Sequence, residues 1–227
     1  MEVMNLECVQ QEAFGFDALS AITPPRRSAS AQLCKRCIDL FGAAALVIVL
    51  FPIFIVTAAM VYVETGAPVI YRRRVVGPKG EFDAFKFRTM RKDADVILAN
   101  DPALMAEYRR NFKLLHDPRV TRIGRVLRQF SIDELPQLFN VVVGQMSLVG
   151  PRMITLPELA KYGVHKELLL SCKPGLTGYW QVFARQNVSY KERVQMDVYY
   201  LRHWTLCMDL VLLLRTPYKV LKMEGAF

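Results

Sequence analysis

Residues 41–63 (FGAAALVIVLFPIFIVTAAMVYV) form an apolar run without a charge, and no other feature constrains the fold as much. About 20 such residues suffice to cross the hydrocarbon core of a bilayer as a helix. The run therefore predicts a membrane-contacting segment. Pro52 lies near its middle, where a missing N–H and a ring clash bend a helix. Both flanks are basic, with Lys35 and Arg36 before the run and Arg72, Arg73, Arg74 and Lys79 after it. Basic flanks favour the cytoplasmic side of a membrane. Two readings follow: a straight span, or a helix that enters, bends at Pro52 and returns to the same face.

The rest of the chain must fold around that segment. With 227 residues, 52% of them hydrophobic, it is long enough for one domain with a real core. The formal net charge of +9 points to an anionic partner: nucleic acid, acidic lipid or a phosphorylated substrate. No recognised nucleic-acid motif accompanies the basic residues, which disfavours the first. Cys34 and Cys37 form a C-x-x-C, but no second pair completes a zinc site, so reduced thiols are expected.

Residues 1–30 lack hydrophobic periodicity, contain Pro24-Pro25-Arg26-Arg27, and read as a flexible tail rather than a signal peptide. Residues 31–66 hold the membrane helix kinked at Pro52, and 67–227 a mixed domain. The expected class is α+β (mixed α/β, helix-rich). Strands are predicted at 68–76 and 81–87 around Gly77-Pro78-Lys79-Gly80. Helices are predicted within 91–115, 119–129, 132–143 and 186–203. The last apolar stretch, Trp204 to Val220, is interrupted by Asp209, Arg215 and Pro217 and suits an amphipathic segment in an interface.

The chemistry concentrates in Ser131-Ile132-Asp133-Glu134-Leu135-Pro136-Gln137. Ser131 and Glu134 match a capping box, and Asp133 could serve as the N-cap with Pro136 in the first turn. Either arrangement puts two carboxylates at a helix N-terminus, whose dipole favours their ionised forms. An ionised carboxylate can attack phosphorus or hold a divalent cation. A plain helix cap would look the same. Upstream, Arg119, Arg122, Arg125 and Arg128 suggest a phosphate clamp, while Lys86 and Arg88 alternate along a strand and Arg152 follows Gly150-Pro151. Guanidinium groups suit bidentate phosphate contacts. Tyr179, Trp180 and Phe183 could stack on a base or sugar, although packing is the commoner role of such a cluster.

In order along the chain, these segments resemble the bacterial sugar transferase family, the monotopic polyprenyl-phosphate hexose-1-phosphate transferases that prime exopolysaccharide synthesis. The resemblance rests on Lys35-Arg36 with Asp39, KFRTM at 86–90, DPRVTRIGRVLRQFSIDELPQLFNVVVGQMSLVGPR at 117–152, KPGLTGYWQV at 173–182 and MDVYYLRHWTLCMDLVLLLRT at 196–216. It implies a re-entrant membrane helix, a small cytoplasmic catalytic domain with interfacial amphipathic helices, and a place at the bacterial inner membrane. It also implies transfer of a sugar 1-phosphate from a UDP-hexose, galactose or glucose, to undecaprenyl phosphate with release of UMP. The same likeness makes Asp133 the nucleophile and Glu134 the ligand of Mg2+. Lys86, Arg128 and Arg152 become phosphate binders, with Arg88, Arg125, Arg185 and Asp197 as further members of the substrate site. The resemblance leaves room for downstream glycosyltransferases as partners and implies no nucleic acid. The chain departs from many relatives at Phe51, Met153 and Ala184-Arg185-Gln186. The competing expectation is a non-catalytic membrane scaffold of a glycan assembly complex, which would not need the acidic pair and its cations.

Overall fold

The structure is a computed structural model that describes residues 27–111, 114, 116–184 and 188–222. The tail expected at 1–30 lies almost wholly outside the described residues, and the first helix begins at Ala29.

The apolar run folds as two helices, α1 (Ala29–Val49) and α2 (Phe51–Thr65), bent by 63° at Leu50. Pro52 falls in the first turn of α2, where its missing N–H costs no helical bond. No single helix among the described residues is long and apolar enough to cross a membrane, whereas the bent pair together meets that length and composition.

Both helices lie against the rest of the molecule along narrow stripes. On α1 the stripe runs through Lys35, Asp39 and Ala43, four residues apart and therefore on one face. Lys35 Nζ donates to Asp209 at 2.6 Å and to the Val149 carbonyl at 2.9 Å. The Arg36 guanidinium donates to the Val141 and Val142 carbonyls at 2.7 and 2.8 Å. Asp39 is buried and accepts from Ser147 Oγ and the Leu148 N–H, both at 2.9 Å. Gly42 permits this approach, because a Cβ there would meet the Leu148 side chain at 2.8 Å. On α2, Val61 is buried with Phe87 and Leu127, Phe54 packs beside them, and Glu64 accepts the Ile123 N–H at 3.1 Å. The opposite surfaces of both helices stay exposed: Ile48 is 75% accessible, Val49 72% and Val63 84%.

A hairpin follows, β1 (Ile70–Gly77) antiparallel to β2 (Gly80–Phe87), with Tyr71 opposite Lys86. Asn140, fully buried, takes the place of a third strand. Its amide accepts the Phe85 N–H at 3.0 Å and donates to the Asp83 carbonyl at 2.8 Å. The helices α3 (Ala94–Asn100) and α4 (Pro102–Asn111) break at Asp101, and α5 (Arg122–Gln129) is capped by the Thr121 hydroxyl at 2.9 Å. After a 3₁₀ turn at Ile132–Glu134 comes α6 (Gln137–Val142).

The short parallel pair β3 (Ser147–Val149) and β4 (Gly175–Thr177) runs through the core. Between its strands lie α7 (Leu156–Leu159), a 3₁₀ stretch at Ala160–His165 and α8 (Lys166–Leu170). The chain closes with α9 (Tyr179–Phe183), α10 (Tyr190–His203) and α11 (Leu206–Leu221). Leu138, Met146, Leu168, Tyr200, Leu201 and Leu212 are fully buried at the centre. The fold is therefore helix-rich α+β. Asp209, counted in the sequence among the breaks of an amphipathic segment, is instead buried, bound by Lys35, Tyr200 at 2.8 Å and Trp204 at 2.9 Å. Burial of a carboxylate demands such partners, and here they join the first helix to the last. Cys34, Cys37, Cys172 and Cys207 are free thiols.

Candidate active site

The acidic pair sits where α5 gives way to α6. Ser131 adopts a left-handed conformation with φ of 54°, which turns the chain sharply after α5. Ile132, Asp133 and Glu134 then form one 3₁₀ turn, with the Leu135 N–H bonded to the Ile132 carbonyl at 3.2 Å. Neither expected cap is formed: the Ser131 side chain makes no capping bond, and α6 starts only at Gln137. Pro136 rules out the first of them: a helix capped at Ser131 would need the residue-136 N–H for the Ile132 carbonyl, and proline has none. A cap at Asp133 would tolerate Pro136 in its first turn, but the chain makes a 3₁₀ turn through the pair instead. The turn buries Asp133 at 7% accessibility, and neither acid owes its ionisation to a helix end.

Cations from three parts of the fold surround the pair. Lys86, near the end of β2, donates from Nζ to Glu134 Oε1 at 2.6 Å and stands 3.7 Å from Asp133 Oδ2. Arg152, in the loop after β3, donates to the same Glu134 oxygen at 3.2 Å. Arg128, in the last turn of α5, donates through Nε to Thr89 Oγ1 at 2.9 Å. Among the described residues no carboxylate oxygen lies within 4.0 Å of Arg128. Arg88 borders the same cavity with its Nη1 buried and without a partner among the described residues. Arg125 is exposed on the cavity rim.

The remaining expectations divide. Arg122 is exposed and does not line the cavity. Arg119 is buried in a two-bond pair with Asp117, both bonds 2.8 Å, so it supports the loop before α5 instead of joining a clamp. The four arginines are thus not one clamp. Helical spacing puts them on one side only in part, and Arg119 precedes the helix. Asp197 borders the cavity but is 1% accessible and accepts a hydrogen bond from the Tyr162 hydroxyl at 2.8 Å. It makes no bond to the acidic pair, and it belongs to the wall behind Arg152. Arg185 lies outside the described residues. Tyr179 is buried, as packing requires, whereas Trp180 faces the cavity with the guanidinium groups of Arg193 and Arg152 at 4.7 and 5.8 Å from its ring centre. Sequence reasoning gave no role to Thr89, Tyr162 or Arg193. Only Thr89 carried a signal, its place in KFRTM.

Electrostatics separates the two acids. Burial opposes the charge of Glu134, but Lys86 and Arg152 outweigh it and hold the carboxyl down at about 2. For Asp133 burial dominates; Lys86 pulls the other way, and the Glu134 charge adds to the rise. Asp133 is thus held above the usual carboxylate range. Asp197 is pushed up to about 7 by burial, against the pull of Tyr162, Arg152 and Arg193. The cavity enclosing these groups has a volume of about 2190 Å3 and reaches from Leu46 and Leu50 at the bend of the first two helices to Asp133.

A magnesium ion takes oxygen ligands, typically one or two carboxylates completed by water and substrate phosphate. Asp133 and Glu134 provide adjacent carboxylates, and both cation contacts of Glu134 fall on Oε1. Among the described residues no group of three His, Cys, Asp or Glu could hold an ion unaided. The donor set fits an ion shared with a phosphate, and not a closed protein cage.

A family model described as bacterial sugar transferase matches residues 30–223. The chain is 42% identical over 202 residues to a UDP-galactose-lipid carrier transferase of Erwinia amylovora, covering 87% of this chain and 42% of that protein. It is 42% identical over 203 residues to an undecaprenyl-phosphate galactose phosphotransferase of Salmonella typhimurium, again 87% and 42%. It is 40% identical over 200 residues to the exopolysaccharide production protein ExoY of Sinorhizobium fredii, covering 86% of this chain and 88% of that one. The chain thus spans less than half the length of the first two relatives and most of the third.

Proposed function

The chain belongs to the bacterial sugar transferase family, and from that premise we propose that it moves a hexose 1-phosphate from a UDP-hexose to undecaprenyl phosphate as the priming step of exopolysaccharide synthesis. One observation carries the proposal: a buried Asp133 beside a half-buried Glu134, enclosed by Lys86, Arg128 and Arg152 in a cavity that reaches the apolar helix bend.

The chemistry runs in two displacements. Ionised Asp133 attacks the phosphorus that bears the sugar. The bond from that phosphorus to the bridging oxygen breaks, and UMP leaves with the oxygen and its electron pair. A phosphate oxygen of undecaprenyl phosphate then attacks the phosphosugar–Asp133 adduct, and the carboxylate is released. Each passage brings an anion against a carboxylate, so the surrounding cations lower the barrier by neutralising charge. Lys86 and Arg152 keep Glu134 charged; Arg128 offers its guanidinium to the incoming phosphate. Magnesium bound at Glu134 would supply further neutralisation of the phosphates.

The same premise makes the bent helix pair a re-entrant element of the bacterial inner membrane, with the catalytic domain on the cytoplasmic face. Its support is geometric. The start of α1 and the end of α2 both bond to one domain, and the surface between them is apolar and exposed.

The test is UMP release by purified protein in detergent with UDP-galactose or UDP-glucose, undecaprenyl phosphate and magnesium. Wild type should release UMP and Asp133→Asn should not. Wild type without UMP release from any common UDP-hexose would favour the scaffold reading. An active Asp133→Asn would remove the nucleophile assignment alone.

A further inference from the structure

Three side chains place positive charge at the acidic pair, and their charges are not equally available. Lys86 and Arg152 are bound to Glu134. Arg128 has no carboxylate partner among the described residues, yet its side chain is partly buried and lines the cavity. Its one side-chain bond among the described residues is to a neutral group, the Thr89 hydroxyl, through Nε. A guanidinium bound only at Nε keeps its two Nη groups for another acceptor, and two parallel bonds from such a fork fit a phosphate.

Thr89 is also joined to the helix that carries Arg128. Its carbonyl accepts the Thr121 N–H at 3.0 Å, at the cap of α5. Gly124 presses against the same carbonyl, where a Cβ would come within 2.2 Å of the oxygen. Gly124 and Arg128 are four residues apart and share a face of α5. Thr89 thus touches α5 at three successive levels: cap, first turn, and the arginine one turn later. It is 6% accessible and therefore fixed.

Resting on the proposed transfer reaction, we propose that Thr89 is a positioning residue that holds Arg128 as the open phosphate receptor of the site. A hydroxyl suits this task because it fixes the guanidinium without neutralising it. A carboxylate at the same place would pair with Arg128 as Asp117 pairs with Arg119, and would compete with the substrate phosphate.

Thr89→Val keeps the shape and removes the acceptor, whereas Thr89→Ser keeps the acceptor. The measurements are kcat/KM for UMP release and UMP affinity by calorimetry, with melting followed to confirm folding. Thr89→Val should lower both about ten- to hundredfold, the range for losing a hydrogen bond to a charged group. Thr89→Ser should restore most of the loss. In an Arg128→Ala background, Thr89→Val should have no further effect on UMP affinity. Should Thr89→Val not fold, Thr89→Ala removes the same acceptor. Wild-type UMP affinity in a folded variant lacking the hydroxyl overturns the proposal, and so does an equal loss in the Arg128→Ala background. A wild type that binds UMP but releases none from a UDP-hexose counts against the transfer reaction, while the affinity measurements still decide the role of Thr89.

Discussion

The Lys86 ammonium lies 2.6 Å from Glu134 Oε1, and this contact divides the labour of two adjacent acids. Glu134 is held ionised; Asp133, at 3.7 Å, receives a weaker share of the same charge. Lys86→Met removes that cation and leaves Arg152, among the described residues, as the one side chain still bonded to the Glu134 carboxylate. Breaking a buried ion pair from one side costs about 3–5 kcal/mol when no other partner remains. With Arg152 in place, the loss in urea unfolding should be about 2–3 kcal/mol, and UMP release should fall on the order of a hundredfold.

The pH dependence of kcat/KM should follow Asp133. Its ionised form attacks, and burial raises its pKa. Activity is therefore full above that raised value and lost as pH falls through it. The acid limb should lie above about 4, the ordinary aspartate value. Glu134, held down at about 2, contributes nothing to that limb. A limb below pH 4 in the free enzyme would contradict the assignment.

Asp197 should reveal itself in stability. Its folded-state pKa is raised to about 7, while the unfolded chain titrates near 3.9. Between those values the native state holds the extra proton, so stability falls as pH rises from about 4 to 7. Asp197→Asn removes this term. At pH 8 the variant should gain on the order of 2–4 kcal/mol over wild type, and at pH 4 the two should nearly coincide. Melting at both pH values checks it.

Labelling tests the helix pair. Cys34 is exposed near the start of α1, and Arg72 is exposed after α2. In single-cysteine variants carrying Cys34 or Arg72→Cys, an impermeant maleimide should reach both only after spheroplasts are opened. Labelling of the two from opposite faces would establish a straight span.

Local signals reached far into this fold. The alternation in Lys86-Phe87-Arg88 and the Gly77–Gly80 turn gave the hairpin to within two residues. The uncharged run marked the apolar segment and left a straight and a bent helix both open, and the structure bends it at Leu50, beside Pro52. Legibility ended where one polar residue has two plausible uses. Asp133 and Glu134 read as a cap, because the cap motif is local and the competing effect of Pro136 depends on which turn forms first. Asp209 read as a surface charge, because its three partners lie on α1, on α10 and in the loop before α11. The Tyr162–Asp197 contact joins residues 35 apart, with nothing between them to announce it. Arg119 and Arg128 share a motif, and only the neighbouring Asp117 and Thr89 make one a strut and the other an open cation.

The polar stripe on α1 has a consequence for the spacing between the bend and the site. Lys35, Arg36 and Asp39 clamp the helix to the catalytic core, and the bend comes at Leu50, about 16 Å farther along. That length works as a gauge: it fixes how far the apolar tip stands from Asp133 and which way it faces. One residue inserted between Ala43 and Leu50 would advance the tip by about 1.5 Å and swing it by about 100°. The α2 stripe of Phe54 and Val61 would then miss its seat on Phe87. Exchange of one apolar residue for another along the exposed face leaves this gauge unchanged, while a change of length does not.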